Sequence, residues 1–500
     1  MNAGRYIVEN LNRPLIYTLL IICVGAITYA TINFGYIAGL GIAFAPVFVL
    51  YLMYIVDKPI WGFVTMFVIN YYISGASRYV KVISPGIFMD LILLVTLVSL
   101  VFQFFKSNSK YKWRGSYNSL ILIAFVWLFY CFLQLLNPEG LIVAWFTAVR
   151  SIGLYFFLLV LISSILLKEF KDLKMIIFIW GILAITAVIK AFIQKVYGFD
   201  AAEMYWLYVE GGARTHIIYS GNRYFSFFTD AANFGSGIAF SGVVFAITAI
   251  YIKPLWQKIF YVLAFVACMY GMVISGTRGS VAVPFVGFAL LAFLSKDLRV
   301  MALTTFMILV VFVFLRYTNY GNGNSYIRRM RSVFNTEDAS FRVRIENQRR
   351  LRVFMKERPF GAGIGMSRKQ AKSYNPNEYL MDKPNDSWYV LVWVETGIVG
   401  LILHITILLS ILGYGIYIVL FKLRNREVRG VTTALLCGIA GLYVASYSIE
   451  IMGQFPTAFI LYIAMTAVFL SPSYDRESNL IQGAGEKENE QTYHYYELET

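Results

Sequence analysis

Charge is scarce in this chain. Asp, Glu, Lys and Arg make up 14% of its 500 residues, while 59% are hydrophobic and 17% aromatic. A water-soluble domain has about 25% charged residues and too few buried positions for so many apolar side chains. Cysteine is equally sparse. Cys23, Cys131, Cys268 and Cys437 each fall inside an apolar run, which excludes a disulfide framework and leaves them as small buried residues. Histidine occurs three times, at positions 216, 404 and 494, with no H-E-x-x-H, Cys/His cluster or acidic cage, so no metal and no cofactor is expected. A Walker loop is absent, and with it an encoded ATP-driven step. The apolar runs are continuous rather than alternating in segments of about 10 residues, which argues against an outer-membrane barrel. No internal repeat is visible, which weighs against inverted-repeat transporters. The formal charge of +15 fits membrane anchors better than nucleic-acid binding, which is not expected.

What remains is a succession of apolar stretches about 20 residues long, the length that crosses a bilayer as a helix. The fold class is an all-α polytopic membrane protein with about 12–14 transmembrane helices. Fourteen candidate spans run at 14–32, 36–56, 59–74, 83–105, 118–136, 141–166, 174–197, 232–252, 256–275, 279–295, 298–317, 390–421, 430–451 and 456–472. Arg5 and Arg13 precede the first, which reads as an uncleaved anchor. Lysines and arginines gather in alternate short loops: Lys106 to Arg114, Lys168 to Lys174, Lys253 and Lys258, Lys296 and Arg299, and Lys422 to Arg429. The positive-inside rule makes that side, and both termini, cytoplasmic. The organisation is then residues 1–317 with eleven spans and a smaller outer loop at about 198–231. A large, partly helical periplasmic loop at 318–389 follows, then the last spans at 390–472 and a disordered acidic cytoplasmic tail at 473–500. The tail holds seven acidic residues against two basic ones after Ser473. The large loop is itself basic, with fourteen Lys/Arg against seven Asp/Glu from 318 to 386. Long loops cross a membrane largely regardless of charge.

Arginine carries most of the chemistry. In the large loop a helix starting near Ser340 should end before Pro359. Its Val343, Leu351, Phe354 and Met355 share an apolar face into which Arg344 projects, while Arg342 and Arg349 take a more polar side. An arginine there needs a partner, an anion or a ligand. The run PFGAGIG (Pro359 to Gly365) offers either an anion-binding backbone or a tight packed turn. Arg278 sits in the short turn SGTRGS (Ser275 to Ser280), and the smaller outer loop holds Arg214, His216, Arg223, Asp230 and Asn233. Arg150 lies within a span, a functional signal by default, with an ion pair to Asp90 as its structural alternative. Arg150, Arg223, Arg278 and Arg344 could converge at one membrane face. Their shared chemistry is bidentate phosphate or diphosphate recognition, which points to a lipid-diphosphate substrate.

In this order the residues resemble the O-antigen ligase and O-antigen polymerase superfamily, most strongly over about 200–420. The resemblance rests on Arg223 with Asp230-x-x-Asn233, on SGTRGS, and on Arg344 about fifteen residues before PFGAGIG. It rests also on Ser387 followed after nine residues by Gly397-x-x-Gly400, and on Arg350 to Gly361 as an Arg-x10-Gly of the polymerase kind. The ligases' histidine position is held here by Asp386. The resemblance implies a metal-independent, inverting glycosyl transfer at the periplasmic face of the bacterial inner membrane, in O-antigen, lipopolysaccharide or exopolysaccharide biosynthesis. The donor is a glycan on undecaprenyl diphosphate; the acceptor is a sugar, a lipid A-core or a growing glycan. Asp386, Arg278 and Arg344 are then the catalytic candidates, with Arg223, Arg278, Arg344 and Arg150 on the diphosphate. Arg350, His216, Glu395 and Ser387 are secondary candidates. Partners are the donor, the acceptor and membrane lipids. A lipid-linked oligosaccharide flippase and a membrane scaffold are the alternatives from other classes.

Overall fold

The computed structural model describes residues 13–80, 85–106, 110–111, 116–219, 221–334, 339–368, 371, 380 and 387–498. The helices in chain order are α1 (Arg13–Phe34), α2 (Tyr36–Asp57), α3 (Pro59–Ala76), α4 (Pro85–Phe105), α5 (Ser119–Leu133) and α6 (Ile142–Leu166). They continue with α7 (Phe170–Tyr197), α8 (Ala201–Tyr208), α9 (Ala213–His216), α10 (Ala231–Tyr251), α11 (Leu255–Ile274) and α12 (Ala282–Leu294). The last are α13 (Leu298–Tyr317), α14 (Ser325–Arg331), α15 (Ala339–Met355), α16 (Trp388–Tyr417), α17 (Arg426–Ala445) and α18 (Thr457–Leu498). A two-residue antiparallel pair, Ile217–Ile218 with Gly221–Asn222, is the sheet among the described residues.

The all-α polytopic reading holds. In hydrocarbon every backbone polar group must be satisfied within its own segment, so the apolar runs become helices. Each of the fourteen expected spans overlaps one. Among the described residues eleven helices are long and apolar enough to cross a membrane, by length and composition; the apolar portions Leu20–Phe34 and Gly279–Leu294 are shorter. Side-chain caps set several starts: the Asn118, Asp230 and Asn425 oxygens accept from the backbone N–H groups of the second and third residues of α5, α10 and α17.

Two compact units share the chain, residues 1–63 with 91–111 and residues 64–90 with 112–500. In the first, Gln103 Nε2 donates to the carbonyls of Val56 (2.7 Å) and Asp57 (3.1 Å), and Lys106 pairs with Asp57 at 2.7 Å. In the second, α10, α17 and α18 form the centre. The apolar windows of these three helices are 83%, 89% and 89% buried, against 6% for α13. Small residues let α10 sit close to its neighbours: Gly235, Ser236, Gly237, Ala239, Ser241 and Gly242 are all buried.

The ends of this second unit differ. At one end Lys174 meets Glu427 (3.2 Å), Lys296 Nζ donates to the Leu420 carbonyl (2.8 Å), and Asp475 accepts the N–H groups of Arg424 and Asn425. Asp475 and Glu477, which the sequence assigned to a free tail, are docked there, with Glu477 accepting from the Phe170 N–H. The backbone of α18 continues as helix to Leu498. The opposite end carries the loop before α10, the turn before α12, the large loop and residues 446–456.

Candidate functional site: a basic chamber at one end of the helices

The loop before α10 is fixed by hydrogen bonds that use up several of its polar groups. His216 Nδ1 lies 2.8 Å from the Gly212 carbonyl, and its Nε2 accepts the Ala231 N–H at 3.0 Å, so the ring helps hold the start of α10. Burial pushes its pKa down to about 4, and the imidazole is neutral. Arg223 reaches across: Nη1 donates to the Thr215 carbonyl (2.9 Å) and Nη2 to Thr277 Oγ1 (2.9 Å). Thr277 Oγ1 in turn donates to the Ala231 carbonyl at 2.8 Å. SGTRGS is thereby tied to α10. Its Gly276 has φ +58°, and a Cβ there would press on Arg223.

Residues 446–450 gather the rest. Ser387 Oγ and the Trp388 N–H both donate to the Ser446 carbonyl (3.3 and 3.0 Å). Arg344 Nη2 donates to the Ser448 carbonyl (3.3 Å), and Gly279, next to Arg278, packs against Ser448 and Ile449. Arg278 Nη1 donates to Ser332 Oγ at 3.3 Å, bringing in the residues just after α14.

These segments enclose a chamber of about 1140 Å³. Arg214, Arg223, Arg278, Arg329 and Arg344 line it, with Glu210, Asp230 and Glu450 as the carboxylates. Among the described residues, five guanidinium groups against three carboxylates give the lining an excess of positive charge. Nε of Arg223 and of Arg344 is buried without a hydrogen-bond partner among the described residues, so both still have a donor to offer. Burial lowers the pKa of Arg223, and Asp230 nearby opposes that shift. Glu450 is partly buried, and burial pushes its pKa up to about 7, with Glu395 and Asp230 raising it further and Arg368 working against them.

The chamber unites Arg223, Arg278, Arg344 and His216 of the sequence candidates. Arg150 is elsewhere. It opens a π-helical turn, Arg150–Leu154, and its Nη1 bonds to Asp90, whose other oxygen accepts from Tyr155 Oη (2.6 Å), so the structural alternative describes it. Arg350 is exposed and pairs with Glu346 one turn earlier on α15 (2.9 Å). Glu395 is fully buried and ion-paired with Arg368 at 2.9 Å, with Ser367 Oγ donating to it as well. Ser387 is buried as the residue before α16 and lies outside the chamber lining. Asp386 lies outside the described residues.

The glycine run serves packing rather than anion binding. Gly361 and Gly397 both have positive φ (+87° and +74°), and a Cβ on Gly361 would meet the Gly397 nitrogen at 2.5 Å. The Ala362 N–H donates to the Val394 carbonyl at 2.8 Å, so backbone meets backbone where α16 breaks at Gly397. On α15, Leu351 and Met355 are buried beside Ala362 and Val394, and Phe354 packs against them, as its apolar face implied. Val343 differs: the first half of α15 passes that cluster, and Val343 and Arg344 face the chamber instead.

Three charged lining residues escaped the sequence reading, Glu210, Arg329 and Glu450. The span expected at 430–451 put Glu450 inside a helix, but α17 ends at Ala445. A lone acid in an apolar run was itself the signal, because such residues are expensive and functional by default.

Fold and chamber together define a multi-pass membrane protein with a basic cavity at one end. Residues 262–405 match the family profile described as O-Antigen ligase. The matched segment contains Arg278, Arg329, Arg344, the glycine run and the start of α16; Arg223 and Glu450 lie outside it. No curated protein matches the chain. That match indicates a ligase- or polymerase-type function.

Proposed function

We propose that the protein transfers a glycan from undecaprenyl diphosphate to a hydroxyl of a sugar, lipid A-core or growing glycan chain, with inversion and without a metal, in the chamber. The chamber faces the periplasm of a bacterial inner membrane, and both termini face the cytoplasm. The observation that carries this reading is the convergence of Arg223, Arg278 and Arg344 from three separate segments around one cavity, Arg223 and Arg344 each with a buried Nε unpartnered among the described residues.

The chemistry follows from charge. When the acceptor oxygen attacks the anomeric carbon, the bond to the diphosphate oxygen breaks and that oxygen gains negative charge. Guanidinium donors already in place stabilise it without reorganising, and they do so most strongly away from bulk water. His216 and Asp230 hold the start of α10, and through Thr277 the position of Arg223. Ser387 holds the start of α16 against residue 446.

The test is transfer in sealed vesicles with the full-length protein, a lipid-linked glycan donor on the chamber side only, and acceptor on the same side. Product without donor movement across the bilayer supports the reading. Donor translocation without product would replace it with a flippase.

A further inference from the structure

We infer that Glu450 is the general base that takes the acceptor hydroxyl proton. The inference rests on the glycan-transfer reading and deepens it. Three features of the fold carry it. Glu450 lines the chamber, so it shares one cavity with the arginines that would hold the diphosphate. It sits two residues from Ser448, whose carbonyl holds Arg344 and whose side chain packs on Gly279 beside Arg278. And among the described residues no group hydrogen-bonds to its carboxylate, whereas Asp230 caps α10 and Glu395 is locked to Arg368. Of Asp230, Glu395 and Glu450, it is thus the carboxylate that neither caps a helix nor is locked in an ion pair among the described residues.

The step balances. The acceptor O–H bond breaks and its proton goes to a Glu450 oxygen. The acceptor oxygen forms the new bond to the anomeric carbon. The anomeric carbon's bond to the diphosphate breaks, and that electron pair leaves with undecaprenyl diphosphate, held by Arg223, Arg278 and Arg344. The protonated carboxyl then releases its proton into the chamber.

A base must be ionised yet basic enough to accept a proton near neutral pH. Glu450's pKa of about 7 meets that need. The charged groups around it are Arg214, Arg223, Arg278, Arg329, Arg344, Glu210 and Asp230 in the chamber, with neutral His216, and the Arg368–Glu395 pair behind it.

The experiment compares wild type, Glu450→Gln, Glu450→Asp, Asp386→Asn and Arg278→Ala, each full length. Transfer is followed in membranes carrying endogenous lipid-linked glycan, from about pH 5.5 to 8.5, and purified protein is titrated with undecaprenyl diphosphate. For wild type the rate should rise about tenfold per pH unit below 7 and level off above it. Glu450→Gln should lower kcat by about 10²-fold or more and flatten that rise, while undecaprenyl diphosphate binds within about twofold of wild type. Glu450→Asp should restore part of the rate and the pH dependence. A carboxyl whose pKa is raised by folding favours the folded state less above that pKa, so Glu450→Gln should melt no lower than wild type at pH 8. Glu450→Gln with wild-type rate and pH profile, or with lost undecaprenyl diphosphate binding, overturns the inference. Loss of the pH dependence in Asp386→Asn alone would assign the base to Asp386 instead. Full transfer by Arg278→Ala would remove the chamber reading first, whatever Glu450 does.

Discussion

Arg150 and Arg344 carry the same group and meet opposite fates. Arg150 lies within a membrane helix, the costlier place for a cation. There it is closed by Asp90, and Asp90 by Tyr155. Arg344 lies on a loop helix where water could have solvated it, yet its Nη2 donates to the Ser448 carbonyl, and its Nε, beside a cavity, is buried and unpartnered among the described residues. Depth in the membrane therefore does not identify the functional arginine. What identifies it is unspent hydrogen-bonding capacity facing a space large enough for a ligand. Closed arginines should matter for stability, open ones for transfer, and the predictions below test that division.

The largest effect should come from breaking a closed pair whose carboxylate is fully enclosed. Arg368→Met leaves the Glu395 carboxylate buried at 0% exposure without its cation. Removing one partner of such a pair costs about 3–5 kcal/mol. The unfolding midpoint in micelles should fall accordingly, and Arg368→Met with Glu395→Leu should recover much of it. A single variant as stable as wild type would mean that this pair does not hold the break in α16.

Next come the arginines that line the chamber. Arg278→Ala and Arg344→Ala should each reduce transfer by about 10²–10³, equivalent to about 2.7–4 kcal/mol of lost transition-state stabilisation. Their unfolding midpoints should stay at the wild-type value. Loss of activity only in proportion to lost folded protein would move these residues into the closed class. The Arg150–Asp90 pair is about one-third exposed on each side. Arg150→Met with Asp90→Asn should therefore shift stability by about 1 kcal/mol or less and leave the transfer rate nearly unchanged. A hundredfold drop in rate would return Arg150 to the diphosphate site.

Much of this was legible before any coordinates. Spans follow from run length because hydrocarbon offers the backbone no other partner, and the arginines of SGTRGS and α15 stood out because cations on apolar elements are rare. Pairing was not legible. Nothing local to Arg150 distinguishes an ion pair with Asp90, sixty residues away, from a ligand contact. The glycine run likewise read equally as an anion cradle or a packed turn until Gly361 met Gly397. Glu450 was missed for a boundary reason: a periodicity argument extends a helix through any apolar loop, and residues 446–456 look apolar enough to continue α17.

The smallest expected effect is also the sharpest test of the division. Arg350 begins the Arg-x10-Gly spacing associated with polymerases, which makes it a secondary candidate on the same helix as Arg344. The fold separates them. Arg350 lies on the outer side of α15, more than half exposed, and bonds to Glu346 at i,i−4. Surface pairs of this kind contribute about 0.3–0.5 kcal/mol, screened by salt. Arg350→Ala should therefore shift stability by no more than about 0.5 kcal/mol and leave the transfer rate within about twofold, with any stability change vanishing at high ionic strength. A tenfold loss of transfer with stability intact would place the acceptor chain along the outer face of α15. The chamber would then be the donor's half of a longer site.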